Sequence, residues 1–505
     1  MTPTPRDLTV IVLAAGGGTR MKSKTMKVLH PVCGRSMLGH VLTAAVTAEP
    51  RRVVAVIGTQ REQVGPHALE YVPDALLAVQ EVPEGTGHAV RVAVDALVAA
   101  DGEVTGTVVV TASDTPLLEG ESLRAFVADH DASDRAVSIL TGRVPNPFGY
   151  GRIVRDADGD VAAIVEEKEA DEEQRAIDEI NSGILAFDAD FLRDALPRIT
   201  NDNAKGEYYL TDTVSLARAA GRRVGAYELA DVLQTEGAND RAQLADLAAE
   251  MNRRILVRWM REGVTVVDPG TTWVDADVEL AQDVTLLPGV QLHGRTTVAE
   301  DAVVGPDTTL RDVSVGAGAQ VVRTHALEAV IGEGASVGPF AYLRPGTRID
   351  TGGKVGTFVE TKNSHLGAGA KVPHLSYVGD AEIGEGTNIG AGTIVANYDG
   401  VAKHRTVVGR HARTGSNNTF VAPVVIGDGA VTGAGTTVRQ DVPPGALAVS
   451  AARQRHLEEW VLRKREGTAA AEAAAAALGE RAERESSHEG VDGFAGDPGS
   501  GAQSR

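Results

Sequence analysis

Short apolar runs alternate with amphipathic stretches along residues 1–240. The runs are LTVIVLAA, RRVVAVIG, GTVVVTA and AVSILTGRV, and they consist mostly of apolar and β-branched residues. Such runs are typical of strands that are buried on both faces of a sheet. Helical patterns such as GHAVRVAVDALVA lie between them. The alternation predicts βαβ units and a mainly parallel sheet.

Residues 240–262 follow a different pattern, with apolar residues at spacings of three and four. This stripe consists of Leu244, Leu247, Met251, Ile255 and Trp259. It predicts one helix with a single apolar face, which Asp240 is suited to cap and Gly263 to end. We interpret it as a connecting helix between a domain at 1–239 and a second domain at 263–455.

From residue 263 onward the pattern repeats every six residues. Residues 331–360 read IGEGAS, VGPFAY, LRPGTR, IDTGGK and VGTFVE, and the same frame returns in IGEGTN, IGAGTI and IGDGAV. An aliphatic residue begins each hexad, and three hexads would complete one coil of a triangular solenoid. We therefore predict a parallel β-helix rather than an ordinary sandwich. The segments TKNSH and VANYDGVAKHRT break the frame and indicate insertions on one functional face.

After residue 455 the repeat is lost. HLEEWVLRKRE predicts a short helix, and the segment that follows is rich in Ala, Gly, Ser and charged residues. Such a segment cannot bury enough apolar surface to offset the entropy of ordering. We expect a short helix and then a disordered tail over 456–505, with the alanine run able to form helix.

The composition argues against several classes of protein. The net charge of −20 argues against binding to a nucleic-acid backbone, which needs a basic surface. The single cysteine, Cys33, excludes a disulfide framework and is expected to be a small core residue. The N-terminus does not resemble a signal peptide, and no run reaches the roughly 18 apolar residues of a membrane span. We expect no nucleic-acid partner, no membrane association and a cytoplasmic location.

Candidate chemistry begins at LAAGGGTR, where three glycines follow the first apolar run. The spacing lacks the third glycine of a Rossmann fingerprint and the G-K-[ST] of a Walker loop. Glycines still let backbone N–H groups approach phosphate oxygens, and Arg20 and Lys27 can add cationic contacts. By itself the stretch indicates only a cradle for phosphate.

Asp114, in TASDTPLL, follows an apolar strand at the edge where open α/β sheets bind ligands. A lone carboxylate there suits Mg²⁺, which one or two carboxylates and substrate phosphates usually hold. The alternative is a cap for the turn that follows, and the residues alone leave both interpretations open.

Several motifs together resemble those of sugar-nucleotide pyrophosphorylases. They are L-A-A-G-x-G-T-R-M with a lysine eight residues past the threonine, Q-x(4)-G-T-G-H-A at 80–89, YGRI, EEK, EINSGI and KGEYYLTD. Joined to hexapeptide repeats, they resemble the bifunctional N-acetylglucosamine-1-phosphate uridylyltransferase/glucosamine-1-phosphate N-acetyltransferase family over about residues 8 to 455. The resemblance implies an α/β Rossmann-like nucleotidyltransferase domain followed by a left-handed parallel β-helix.

The resemblance also implies a first set of site residues. The N-terminal domain would transfer UMP from UTP to N-acetylglucosamine-1-phosphate and release pyrophosphate, with Mg²⁺ held by Asp114 and Asn239. The remaining contacts would be Leu13, Ala14 and Gly16 along the uridine and phosphate path, Arg20 and Lys27 at phosphates, Gln80, Gly85 and Thr86 at uracil, and Gly151, Glu166 and Asn181 at the sugar.

The solenoid carries polar residues that its stacking does not need. They are Arg344, Lys362, His374, Tyr377, Asn388, Asn397, Tyr398 and Lys403. A neutral imidazole can take a proton near pH 7, so His374 is a natural general base. A lone histidine is more often structural, but the neighbouring Tyr377 and the frame position favour the base.

For the β-helix the resemblance implies acetyl transfer. His374 would deprotonate the 2-amino group of glucosamine-1-phosphate, which attacks the thioester of acetyl-CoA. Arg344, Lys362, Tyr377 and Asn388 would bind the sugar phosphate, and Ala391, Asn397, Tyr398, Ser416 and Ala434 would line the coenzyme A groove. Such sites form between neighbouring solenoids, so a homotrimer is implied. The final product would be UDP-N-acetylglucosamine, a cell-wall precursor.

The chain departs from the family pattern at a few positions. Met26 stands where proline is usual, Ser113 where glycine is usual, and Gly17 fills a variable position. Ala451 stands where an arginine often binds coenzyme A phosphates, with Arg453 and Arg455 nearby. These departures bear on kinetic quality rather than on the type of reaction.

Two alternatives to a bifunctional enzyme remain. In the first, the chain is a nucleotidyltransferase for another sugar, and its solenoid is inert. In the second, it is a scaffold protein whose pockets have lost function. Asp114 with Asn239 argues against the scaffold, and His374 with Lys362 and Arg344 argues against the inert solenoid.

Overall fold

The computed structural model describes residues 7–58, 60–203, 205–450 and 454–489, with the side chains of 486–489 left out. The described residues up to Val449 form one compact unit, and those from Ser450 onward belong to a second. The larger unit contains the α/β sheet, the connecting helix and the β-helix.

The N-terminal part is built around one sheet with helices on both sides. Its strands are β1 (Leu8–Ala14), β2 (Pro31–Val32), β3 (Arg35–Ser36), β4 (Arg52–Ile57), β5 (Leu76–Val79), β6 (Thr107–Ala112), β7 (Arg135–Arg143), β8 (Arg152–Arg155), β9 (Val161–Val165), β10 (Glu179–Asp188) and β11 (Arg223–Glu228). Its α-helices are α1 (Met37–Thr47), α2 (Arg61–Tyr71), α3 (Thr86–Asp101), α4 (Gly120–Asp131), α5 (Glu172–Arg175), α6 (Ala189–Ala195) and α7 (Asp212–Ala219). Short 3₁₀ turns occupy Thr19–Met21, Lys27–Leu29, Leu196–Arg198 and Val232–Thr235.

The strand order is β11-β7-β10-β6-β1-β4-β5, with the β8–β9 hairpin attached to β10. β1 is parallel to both β4 and β6, and only β10 runs antiparallel to its neighbours β6 and β7 along this path. The four apolar runs form β1, β4, β6 and β7, as predicted. The mainly parallel α/β architecture is thereby confirmed. The antiparallel β10 and the β8–β9 hairpin, which the sequence pattern did not indicate, add the structure that carries EINSGI and YGRI.

A long helix, α8 (Arg241–Arg261), leads into the β-helix. The Asp240 carboxylate accepts hydrogen bonds from the backbone N–H groups of Ala242 and Gln243, both at 3.0 Å, so the predicted cap is confirmed. Ile255 and Leu256 of α8 belong to the β-helix core, which also includes Cys33. Leu247 instead packs into a cluster of the N-terminal part. One helix therefore contributes to the packing of both parts.

The β-helix has three faces of parallel strands. The first face contains Thr265–Val266, Thr285–Leu286, Val303–Val304, Gln320–Val321, Ser336–Val337, Lys354–Thr357, Lys371–His374, Val431–Thr432 and Leu447–Ala448. The second face contains Trp273–Val274, Gln291–His293, Thr309–Arg311, Thr324–Leu327, Ala341–Leu343, Glu360–Lys362, Tyr377–Gly379, Ile394–Ala396, Thr419–Val421 and Thr437–Val438. The third face contains Glu279–Leu280, Thr297–Val298, Ser314–Val315, Val330–Ile331, Arg348–Ile349, His365–Leu366, Ala381–Ile383, Thr406–Val408 and Val424–Ile426.

Aliphatic side chains stack inside these faces as ladders. On the second face, Val274 pairs with Leu292 and Leu292 with Leu310. All three are fully buried, and most coils contribute a buried aliphatic residue to each face, although Thr361 takes this place on the second face between Leu343 and Val378. The hexapeptide β-helix is confirmed, and its single apolar core explains why every sixth position is aliphatic.

In its described residues, the second unit contains two helices, α9 (Trp460–Lys464) and α10 (Ala469–Glu489). The predicted short helix and the helical alanine run are present. The charged segment up to Glu489 continues α10, and the expectation of a disordered tail stays a prediction. The rest of that predicted tail lies outside the described residues. None of the helices in the described ranges has the length and apolarity that a membrane crossing requires.

Candidate functional sites

Three parallel strands of the N-terminal sheet end at the same edge and lead into predicted nucleotide contacts. β1 ends at Ala14 before the glycine loop, β5 ends at Val79 before Gln80, and β6 ends at Ala112 just before Asp114. This carboxyl edge is where open α/β sheets bind ligands. Leu13 and Ala14, at the end of β1, and Gly16, in the loop that follows, therefore lie on the same edge as Asp114.

Four predicted residues meet in one hydrogen-bonded cluster. The Lys27 ammonium donates to Asp114 Oδ2 at 2.5 Å and to Asn239 Oδ1 at 2.9 Å. Arg20 Nη2 donates to the same Asn239 oxygen at 2.9 Å. A carboxylate oxygen and an amide oxygen thus converge on a single cation. We call Arg20, Lys27, Asp114 and Asn239 the phosphate cluster.

Gly18 makes room for the phosphate cluster. Its φ is +58°, and a Cβ at this position would overlap the Lys27 side chain. Glycine avoids both the backbone strain and the collision. At Gly16 and Gly17, by contrast, a Cβ would meet no atom within 4 Å, so open space adjoins the loop. Protein packing therefore does not account for the small residues at these two positions.

Two departures from the family pattern have local explanations. The Ser113 side chain is buried, and its hydroxyl donates to the Leu13 carbonyl at 2.7 Å, joining the ends of β6 and β1. Met26 is buried in the core, and its φ of −55° lies in the range that proline adopts. The Ser113 hydroxyl is therefore engaged with the sheet, and the backbone before Lys27 keeps a conformation compatible with proline.

The predicted uracil contacts pack against the KGEYYLTD segment. The buried Gln80 side chain donates from Nε2 to the Gly85 carbonyl at 3.2 Å. The Thr86 hydroxyl accepts a hydrogen bond from the backbone N–H of Leu210 at 3.1 Å. A Cβ on Gly85 would lie 2.6 Å from the Tyr208 carbonyl oxygen. The KGEYYLTD segment therefore supports the turn before α3, a role that its sequence did not indicate.

The three predicted sugar contacts also lie together. The backbone N–H of Asn181 donates to the Gly151 carbonyl at 2.9 Å, and a Cβ on Gly151 would lie 3.4 Å from Glu166 Oε1. Arg152 is 2% exposed and forms an ion pair with Glu167 at 2.6 Å. This pair, which the sequence analysis did not single out, connects the two ends of the hairpin that carry Gly151 and Glu166.

Four predicted acetyltransferase residues occupy one corner of the β-helix in successive coils. The carbonyls of His374, Ala391 and Ser416 each accept a hydrogen bond from the next coil, at 3.2, 2.7 and 2.8 Å. Ala434 takes the equivalent place one coil further on. Because adjacent coils are about 4.8 Å apart, the four positions form a line of about 14 Å. We call it the corner column, and the exposed His374 lies at its start.

Charged side chains gather at the other edge of the second face. Arg344 forms an ion pair with Glu360 at 2.8 Å, and the Lys362 ammonium lies 4.0 Å from Asp380 Oδ2. The nearby Lys362 ammonium lowers the pKa of Lys403. Two ammonium groups this close favour an anion between them. Lys362 and Lys403 therefore concentrate positive charge beside Asp380.

The structure does not bring all the predicted sugar contacts together within one chain. Tyr377 lies on the second face with Lys362, and its hydroxyl accepts a hydrogen bond at 3.4 Å from Nδ2 of Asn397, a predicted coenzyme A contact. Tyr398, the next predicted coenzyme A contact, is exposed. Asn388, however, lies where its own coil enters the first face, and there it pairs with Lys371 of the preceding coil. The whole third face separates Asn388 from Lys362. A single chain therefore does not bring Asn388 and Lys362 together.

The remaining sequence expectations concern metal clusters and coenzyme A. In the described ranges, no group of three or more His, Cys, Asp or Glu side chains could hold a metal ion. Ala451 and Arg453 lie outside the described residues, and Arg455 is exposed. The phosphate cluster, with one carboxylate and one amide, remains the candidate for a cation.

Comparison with known proteins agrees with this architecture. Residues 10–179 match the family model of the MobA-like NTP transferase domain. The chain is 59% identical over 480 residues to the bifunctional protein GlmU of Rhodococcus jostii, covering 94% of this chain and 95% of that protein. It is 59% identical to GlmU of Thermobifida fusca, covering 93% and 97%, and 56% identical to GlmU of Streptomyces coelicolor, also covering 93% and 97%.

These relatives span both the α/β sheet and the β-helix, and nucleotide and acyl-CoA substrates follow from that family. Neither the scaffold nor the inert solenoid is consistent with such extensive identity to bifunctional proteins. The chain therefore belongs to the GlmU family of bifunctional enzymes, with uridylyltransferase and acetyltransferase activities in the synthesis of UDP-N-acetylglucosamine.

Proposed function

We propose that residues 1–239 carry the uridylyltransferase. A phosphate oxygen of N-acetylglucosamine-1-phosphate attacks the α-phosphorus of UTP, and the bond to pyrophosphate breaks. The observation that supports this division is the phosphate cluster, where Arg20 and Lys27 concentrate positive charge beside Asp114 and Asn239. Phosphoryl transfer depends chiefly on positioning and charge neutralisation, which such a cluster supplies.

We propose Mg²⁺ as the metal, with Asp114 and Asn239 as its protein ligands. The oxygens of these two residues already surround the positive charge of Lys27, so the donor set fits a hard cation. When bound, Mg²⁺ would neutralise phosphate charge during the transfer. Arg20 and Lys27 are then the residues that contact phosphate oxygens.

The other N-terminal contacts divide into two groups. We assign Gln80, Gly85 and Thr86 to the uracil edge, with Leu13, Ala14 and Gly16 along the path to the phosphates, because they share the carboxyl edge of the sheet. We assign Gly151, Glu166 and Asn181 to the N-acetylglucosamine because they adjoin one another: a Cβ on Gly151 would lie 3.4 Å from Glu166 Oε1 and 3.6 Å from Asn181 Cβ.

We propose that residues 263–455 carry the acetyltransferase. His374 takes a proton from the 2-amino group of glucosamine-1-phosphate, the amine nitrogen forms a bond to the acetyl carbon, and coenzyme A leaves as the thiolate. The His374 imidazole is exposed and makes no hydrogen bond to the described residues, so it does not serve the packing of the corner. Its position favours a role for His374 as a general base over a structural role.

The corner column supports an extended acyl-CoA groove. Ala391, Ser416 and Ala434 continue from His374 in a straight line, and small side chains leave room for a ligand along it. Asn397 and Tyr398 would contact the coenzyme from the insertion. Arg344, Lys362 and Tyr377 would hold the sugar phosphate from the second face.

We propose a homotrimer, in which the first face of one copy meets the second face of the next. This arrangement would bring Asn388 of one copy near Lys362 of another, which a single chain keeps apart. A face-to-face contact between unlike surfaces closes into a ring when three copies are related by a threefold axis. We also propose a cytoplasmic location, because UTP and acetyl-CoA are cytoplasmic metabolites.

One assay tests the division of activities. Glucosamine-1-phosphate, acetyl-CoA, UTP and Mg²⁺ are supplied together, and free thiol and pyrophosphate are followed separately. His374→Ala should abolish thiol release but retain pyrophosphate release from added N-acetylglucosamine-1-phosphate. Asp114→Ala should do the reverse. His365→Ala is the matched control, because this histidine pairs with Asp350 on the third face and should leave both signals intact. Loss of both signals in either test variant would contradict the division.

A further inference from the structure

Asp380 is a charged residue at the corner between the second and third faces. It is 9% exposed and has a φ of +50°. Its Oδ1 accepts a hydrogen bond from Asn363 Nδ2 at 2.7 Å, and its Oδ2 accepts one from Asn397 Nδ2 at 2.6 Å. The Lys362 ammonium lies 4.0 Å from Oδ2. The carboxylate is therefore surrounded by donors on both of its oxygens.

The charge of Asp380 is maintained by these neighbours. Burial raises the pKa of the carboxyl, but the hydrogen bonds from Asn363 and Asn397 and the nearby Lys362 and Lys403 ammonium groups together bring it below its ordinary value. The group is a carboxylate near neutral pH, and a carboxylate can only accept hydrogen bonds.

This restriction determines how the Asn397 side chain is turned. Its NH₂ group must face Asp380, and the same nitrogen donates to the Tyr377 hydroxyl at 3.4 Å. Both N–H bonds of the amide are then directed into the protein. The carbonyl oxygen, Oδ1, accepts no hydrogen bond from the described residues. Asn397 therefore presents an acceptor, rather than a donor, to any ligand beside it.

We propose that Asp380 is a positioning residue of the acetyltransferase, which fixes Asn397 so that its Oδ1 accepts a hydrogen bond from an amide N–H of the pantetheine arm of acetyl-CoA. The inference rests on the proposed assignment of Asn397 to the coenzyme A groove. The pantetheine arm has two secondary amides, whose N–H groups need an acceptor when they leave water. A freely rotating asparagine would offer its NH₂ group about as often as its oxygen.

The experiment uses the full-length enzyme and the thiol-release assay, with acetyl-CoA varied at saturating glucosamine-1-phosphate. Asp380→Asn is suited to the test because asparagine tolerates the positive φ of this corner. The new amide can satisfy only one of the two asparagines with its oxygen. The KM for acetyl-CoA should rise about tenfold, with a smaller change in kcat. Glu382→Gln, which removes an exposed carboxylate two residues away, is the matched control and should change KM less than twofold.

A double-mutant cycle separates positioning from a general structural effect. Asn397→Ala should raise the KM for acetyl-CoA by itself, and the double variant Asp380→Asn/Asn397→Ala should be no worse than Asn397→Ala alone. If the two effects multiply instead, or if Asp380→Asn leaves KM unchanged, the inference is overturned. Pyrophosphate release by the same chains reports whether each variant is folded.

The outcomes also distinguish a wrong role for Asp380 from a wrong assignment of Asn397 to the coenzyme A groove. If Asn397→Ala leaves acetyl transfer unchanged while His374→Ala abolishes it, the assignment of Asn397 to the groove is wrong, and the role of Asp380 falls with it. If Asn397→Ala impairs the reaction but Asp380→Asn does not, only the role of Asp380 is refuted.

Discussion

The Lys27 ammonium lies where the proposed metal would be expected, and its removal has a specific consequence. In the free protein Lys27 donates to Asp114 Oδ2 at 2.5 Å and to Asn239 Oδ1 at 2.9 Å, with its side chain only 12% exposed. A divalent cation that uses these two oxygens must displace the ammonium. We therefore expect Lys27→Met to increase the affinity of the nucleotide-free enzyme for a divalent cation, although the same change should impair uridylyl transfer.

The magnitude follows from the contacts that compete with the metal. A hydrogen bond to a charged group contributes about 1.5–3 kcal/mol. Part of this is recovered when the displaced ammonium is solvated, so we expect a net gain of about 1.4 kcal/mol, or roughly tenfold in the dissociation constant. The measurement is a titration with Mn²⁺, followed by the loss of its free electron paramagnetic resonance signal, in the absence of nucleotide.

A charge-matched control makes this result interpretable. Lys24 is exposed in the same loop, so Lys24→Met removes one positive charge without opening the phosphate cluster. Lys27→Met should bind Mn²⁺ about tenfold more tightly than Lys24→Met, and adding Asp114→Asn to Lys27→Met should remove the gain. Equal affinities for the two methionine variants would refute the reasoning, because the ammonium would then not compete for the metal oxygens.

Four further predictions test the packing and titration of the N-terminal part and the cap of α8. Gly18→Ala should lower uridylyl transfer at least tenfold and leave acetyl transfer intact, because a side chain there displaces Lys27 and strains a backbone at φ +58°; unchanged pyrophosphate release would contradict this. Burial lowers the pKa of His40 to about 4, so the stability that its neutral form provides is full above pH 6.5 and is lost as the pH falls towards 4. The loss should be about 3 kcal/mol, and thermal unfolding from pH 7 to pH 4 should show a smaller decrease for His40→Gln than for wild type. Burial raises the pKa of Cys33 to about 12, so a disulfide reagent at pH 8 should label one thiol in the unfolded chain and none in the folded chain. Asp240→Ala should lower the free energy of unfolding by about 1 kcal/mol, measured by denaturant titration, because it removes the cap of α8.

Most of the fold could be predicted from the sequence because its hydrophobic patterns repeat over short stretches of chain. Apolar runs and helical spacing identified β1, β4, β6 and β7, and the period of six identified the β-helix. The antiparallel β10 was not recognised, because a buried strand has the same composition whichever way it runs. Strand direction depends on which neighbours the chain finds, and residues far apart in sequence decide that.

The candidate site was readable only as a list of residue types at motif positions. Lys27 and Asn239 are 212 positions apart, and their contact at 2.9 Å depends on how the sheet and α8 pack. The resemblance assigned Lys27 to phosphates and Asn239 to a metal, but it did not indicate that they bind each other. Ser113 is a similar case, since only the adjacent end of β1 gives its hydroxyl a partner.

The sequence by itself determined the periodic architecture, because strand and coil periods arise from backbone geometry and repeat along the chain. It also determined which residue types are present for the two reactions. The tertiary structure alone decided which of them meet: Asn388 lies a whole face away from Lys362, while Asp380 reaches Asn397 through the stacking of successive coils. Side-chain contacts of this kind depend on distances between remote segments, and the folded backbone sets those distances.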